Sequence, residues 1–68
     1  MLKLRLKELR KEKGLKIAEL AERVDVNPTF IVAYEHGDIL PDLNTANAIS
    51  EVLGVTLDEL IVKNKNMG

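Results

Sequence analysis

Between Asn27 and Gly37 the chain carries a start and a stop for one short helix, and little else can be built there. Asn27 has a side chain suited to cap the first turn, and Pro28 fits the first helical position, where its missing N–H costs no hydrogen bond. Gly37 supplies the left-handed residue that ends a helix. Val26, just before the cap, is placed to pack back onto Ile31. A helix this short has room for one buried stripe, and Ile31 and Tyr34, three residues apart, provide it. Steps of about 100° per residue then put Thr29, Ala33 and His36 on the opposite face, with Pro28, Phe30 and Val32 on its flanks.

The same punctuation recurs along the chain. "LKLRLKELRKEKG" predicts a first helix that buries Leu2, Leu6 and Leu9 and stops at Gly14, with its basic residues on the other face. "LKIAELAERV" predicts a second, burying Leu20, Ala21 and Val24, with Glu19 one turn ahead of Arg23. Asp25 and Val26 form a tight turn into the third. Asp42 caps a fourth helix that buries Leu43, Ala46, Ile49 and Leu53 and stops at Gly54. Thr56 and Glu59 have capping-box spacing at the start of a fifth, which buries Leu57, Leu60 and Ile61. No strand pattern is visible. The fold class expected is all-α, a compact five-helix bundle over residues 1–62, with residues 63–68 a polar tail.

Composition limits the alternatives. Sixty-eight residues make one small domain, and without cysteine it has neither disulfides nor thiolate metal ligands. Its stability must come from packing of an aliphatic core whose only aromatic companions are Phe30 and Tyr34. No apolar run is long enough for a signal peptide or a membrane span, so a cytoplasmic location is expected. Charge is uneven: Met1 to Lys16 holds seven basic residues against two acidic ones, whereas Ile17 to Val62 holds Arg23 alone against nine acids. One end can attract phosphate, and most of the rest repels it.

Two short helices joined by a tight turn within five helices resemble the lambda-repressor-like helix-turn-helix DNA-binding domain of the Cro and xenobiotic-response-element type. "LKELRKEKGL", "AELAERV", "NPTFI", "YEHG" and "ISEVLGVTLDEL" fall in the family's order from Leu4 to about Ile61, with the helix-turn-helix at about 17–36. The resemblance implies that helix 3 lies in the major groove. The start of helix 2 and the loop after helix 3 would hold phosphates. Carried onto this sequence, the DNA-binding positions are Lys16, Ile17, Pro28, Thr29, Phe30, Val32, Ala33 and His36. The resemblance also implies a structural ion pair between Arg10 and Glu35.

The contact positions depart from the family's usual chemistry. Ile17 stands where Gln is common, Val32 and Ala33 where Ser, Gln, Lys or Arg are common, and Asp38 lies in a loop that is usually basic. Thr29 alone can hydrogen-bond from near the start of helix 3. The others offer apolar contact, which in a groove means thymine methyl groups. Backbone N–H groups opening helices 2 and 3 are expected to accept phosphate without side-chain help. His36, a lone imidazole, is no metal site; it suits a helix C-terminus as a cation, or a phosphate or base contact. The basic run of helix 1 is either a solvated face or a secondary phosphate contact.

With no glycine-rich loop and no nucleophile–base pair, the sequence argues against an enzyme, a cofactor or a small-molecule substrate. The expected function is a transcriptional regulator of repressor type, a homodimer on double-stranded DNA with altered or weak specificity. The alternative is a degenerate or redesigned helix-turn-helix whose apolar helix 3 face, with Ile17, Phe30, Val32, Ala33, Ile39 and Leu40, binds protein, self or partner, rather than DNA.

Overall fold

The computed structural model describes residues 2–63, and side chains within 4–61. Its elements run β1 (Leu2–Leu4), α1 (Leu6–Glu12), α2 (Ile17–Val24), α3 (Pro28–His36), α4 (Leu43–Leu53), α5 (Leu57–Leu60) and β2 (Ile61–Lys63). The five expected helices are present, and α2 lies at the centre, packed against both α3 and α4, while α1 meets α3.

The caps form as the sequence predicts. Asn27 Oδ1 accepts the Thr29 N–H at 2.9 Å, and Asp42 Oδ1 accepts the Thr45 N–H at 2.8 Å. Thr56 and Glu59 exchange hydrogen bonds at the start of α5. Gly37 adopts φ +80°, the left-handed conformation that lets the chain leave α3. Asp25 does the same between α2 and α3 at φ +60°, the one described residue other than glycine with positive φ. The core gathers Leu6, Leu9, Leu20, Ala21, Val24, Ile31, Tyr34, Ile49, Leu53 and Leu60, with Val26 partly buried against it.

Three expectations need correction. The first helix does not begin at Leu2: Leu2–Leu4 form a strand that pairs antiparallel with Ile61–Lys63, Leu4 opposite Ile61. "LKLRL" alternates apolar and charged residues as well as carrying Leu2, Leu6 and Leu9 at helical spacing. The partner strand decides between the two periods. The Arg5 N–H donates to the Leu60 carbonyl at 2.8 Å and continues the junction into α1. For the same reason Ile61 and Lys63 belong to this ribbon rather than to helix 5 and the tail; Ile61 is half-buried, and residues 64–68 lie outside the described residues.

The third correction is Leu43, which is 68% exposed instead of buried. It is the first residue of α4, and helical side chains lean toward the N-terminus, so it projects past the helix end. The α4 residues that enter the core are Ala46, Ile49 and Leu53; Ser50 is buried beside them, its hydroxyl donating to the Asn47 carbonyl at 2.8 Å.

Candidate nucleic-acid interface

The α2–turn–α3 unit is held from behind by an ion pair. Arg10 Nε donates to Glu35 Oε2 at 2.6 Å and Nη2 reaches Oε1 at 3.4 Å, while Nη1 donates to the Leu15 carbonyl at 2.8 Å. The two side chains are 9% and 5% exposed. This one guanidinium ties α1, the α1–α2 loop and the last turn of α3 together, and fixes how α3 is presented.

With Ile31 and Tyr34 buried, α3 turns outward as its spacing predicts: Pro28, Thr29 and His36 are exposed and Phe30 is half-exposed at 49%. Phe30 is not wholly given to solvent. Its ring stacks on that of Tyr34, one turn later, with centroids 6.3 Å apart and planes 29° apart. Ala33 and Val32 are half-buried, and Ile17 is half-buried with its side chain packed against the core. The broad apolar patch expected from Ile17, Phe30, Val32 and Ala33 is therefore reduced on this face to Phe30. Ile39 and Leu40, by contrast, are exposed.

The two helix N-termini differ. At α3 the Thr29 N–H is taken by the Asn27 side chain and the Phe30 N–H by the Asn27 carbonyl, and Pro28 has none to give. The expectation that this terminus offers free donors fails because its cap is complete. At α2 the Glu19 carboxylate turns back to the Lys16 N–H at 2.8 Å. The Ile17 and Ala18 N–H groups carry no protein partner among the described residues and stand beside the exposed Lys16 side chain. The α2 terminus thus keeps two N–H groups without a protein partner next to a cation, where the α3 terminus keeps none, and sequence spacing alone did not separate the two.

The loop from α3 to α4 lies between Tyr34, in the last turn of α3, and Asp42, the cap of α4. Burial, and after it the Asp42 charge, push the Tyr34 phenol above its ordinary 10.0. The Thr45 amide bonded to the Asp42 carboxylate lowers its pKa below 3.8. Asp38 is exposed in the same loop. Among the described residues no helix is long and apolar enough to cross a membrane.

This arrangement matches known proteins. A family model described as helix-turn-helix matches residues 6–60. An uncharacterized HTH-type transcriptional regulator of Methanothermobacter thermautotrophicus is 47% identical over 49 residues, 72% of this chain and 71% of that protein. The HTH-type transcriptional regulator DdrOP3 of Deinococcus deserti is 30% identical over 57 residues, 84% of this chain but 44% of DdrOP3, so the chain spans less than half of that relative. SinR of Bacillus subtilis, a master regulator for biofilm formation solved in complex with DNA, superposes with a TM-score of 0.73 at 33% identity, covering 78% of this chain and 86% of that one. With the family model, these relatives and the observed α2–turn–α3 geometry in agreement over most of its length, the chain belongs to the helix-turn-helix family.

Proposed function

We propose that the chain is a DNA-binding transcriptional regulator of repressor type, acting in the cytoplasm as a dimer that places α3 in the major groove and blocks a promoter. The observation that carries this reading is the α2 N-terminus: open Ile17 and Ala18 N–H groups beside Lys16, set against an α3 whose exposed side chains are free of the core. Thr29 and His36 reach base edges or phosphate, Phe30 and Pro28 give apolar contact, and Ala33 and Val32 contribute only their exposed edges. SinR, solved in complex with DNA, supports DNA binding by this chain through analogy of fold.

So few base-reading groups make the complex weak and mostly electrostatic. Titration of labelled duplexes is expected to give a Kd no tighter than about 1 μM near physiological salt, weakening steeply as salt rises. Binding indifferent to salt would sink this reading. The second reading, protein rather than DNA binding through the α3 face, is favoured by the exposed half of Phe30 and the acidic surroundings; Phe30→Ser would then abolish partner capture while leaving the unfolding midpoint nearly unchanged.

A further inference from the structure

We propose that Phe30 makes this chain a reader of pyrimidine C5-methyl groups: on a duplex, the exposed half of its ring packs on the methyl that thymine, or 5-methylcytosine, presents in the major groove. The inference rests on the reading of α3 as the helix that enters that groove, and it adds which base feature is recognised and by which residue.

Phe30 stands in the first turn of α3, half-exposed, and its ring is held rather than loose. It stacks on Tyr34, whose own side chain is buried in the core, with ring centroids 6.3 Å apart. One side of the ring is anchored on the fold, so little side-chain freedom is left to lose when the other side meets a ligand. What surrounds it has almost no hydrogen-bonding capacity. Pro28 has no N–H, and the Thr29 and Phe30 N–H groups are spent on Asn27. Val32 and Ala33 are half-buried apolar residues, and the Glu35 carboxylate is turned inward to Arg10. Within Pro28 to Ile31 the Thr29 hydroxyl is the one side-chain hydrogen-bonding group, and His36 lies about 9 Å further along the helix axis.

The base edges of the major groove differ in what such a ring can do with them. Purines and cytosine present acceptors or an amino group there, and a ring laid against these displaces water without replacing its hydrogen bonds. Thymine alone of the four bases adds an apolar group, the C5-methyl, and cytosine acquires one when methylated at the same carbon. Covering that methyl removes apolar surface from water on both partners. The same geometry argues against a protein as the ligand of this ring. One half-exposed aromatic among half-buried neighbours is matched by a methyl group, whereas a standard protein interface takes roughly 20–30 residues a side.

Titration of the full chain against dye-labelled, self-complementary duplexes tests this without knowledge of an operator. One pair is alternating A and T against the same duplex with deoxyuridine for thymidine; the other is alternating G and C against the same duplex with 5-methyldeoxycytidine. The members of each pair differ in the C5-methyl alone. Wild type is expected to bind the methylated member of each pair about fourfold more tightly, the factor for burial of one methyl-sized group, with equal salt slopes because a methyl carries no charge. Phe30→Ser should bind both members alike, and Phe30→Leu, which keeps an apolar side chain, should retain part of the preference. Equal wild-type affinity within either pair overturns the proposal and leaves DNA binding standing. A preference that Phe30→Ser keeps also overturns it, since the methyl then acts through duplex shape. If Phe30→Ser loses its helical circular dichroism, an undiminished preference in Phe30→Leu overturns it in the same way. Binding to none of the duplexes removes the DNA reading and this inference with it.

Discussion

Arg10 and Glu35, twenty-five residues apart in sequence, meet at 2.6 Å with both side chains almost wholly withdrawn from water. The third guanidinium contact, to the Leu15 carbonyl, means that this pair holds a loop as well as two helices. Removing one partner strands a charge where water cannot reach it. Glu35→Ala is expected to destabilise the domain by about 3 kcal/mol, whereas Arg10→Met combined with Glu35→Leu should cost far less, because neither charge then remains buried. Urea unfolding of the two variants checks this; a loss under about 0.5 kcal/mol for Glu35→Ala would mark the pair as solvent-screened.

Asp25 occupies the left-handed region at φ +60° in the turn that sets the angle between α2 and α3. Asp and Asn tolerate this conformation, and a β-carbon without a polar group does not. Asp25→Ala should therefore destabilise by about 1 kcal/mol while Asp25→Gly is neutral or stabilising. The order of urea midpoints, Gly at or above Asp and both above Ala, is the readout.

Tyr34 is the sole tyrosine and the chain has no tryptophan, so its ionisation can be followed directly by tyrosinate absorbance. Burial and then Asp42 raise its pKa above 10.0 in the folded chain. The unfolded phenol ionises first, so the stability this group contributes is complete below pH 10.0 and is lost as pH rises through the folded value. Asp42→Asn removes the smaller of the two causes and should lower the folded pKa only in part.

Asp42 supplies the opposite limb. Its carboxyl is held below 3.8 by the Thr45 amide, so its contribution is present above that value and is lost as pH falls through the folded pKa. The acid limb of the wild-type stability curve should be steeper than that of Asp42→Asn, which keeps a cap-competent oxygen without a charge. Coincident acid limbs in thermal scans would remove Asp42 from the account.

Asp38 lies exposed in the loop that follows α3. If the α2–turn–α3 face docks on a duplex, Asp38→Lys replaces a repelling charge with an attracting one. Affinity should then rise severalfold across all duplex sequences, and the salt slope should steepen by about one phosphate contact, with no gain in base preference. An unchanged slope would place this loop away from the backbone.

The helices were legible because their signals are local. Asn27 with Pro28, Asp42, and Thr56 with Glu59 each satisfy orphan donors within a single turn, so neighbouring residues suffice to mark the ends. Ile31 and Tyr34 fixed the rotation of α3 for the same reason, and Thr29 and His36 follow from it. The Arg10–Glu35 pair was reachable only through family resemblance, since no local rule connects positions so far apart.

What the tertiary structure decided depends on which surfaces have neighbours. "LKLRL" fits a strand or a helix, and β2 chose the strand by offering it a ladder. Leu43 has the spacing of a core residue, yet it is 68% exposed, while Ile17 packs against the core and Val32 is half-buried. The α3 N-terminus lost its free donors to Asn27 and the α2 N-terminus kept its own, a difference of side-chain geometry within equivalent sequence positions. Periodicity tells which residues of an element share a face, but burial is a property of two elements, and the second one is set by how the chain closes on itself.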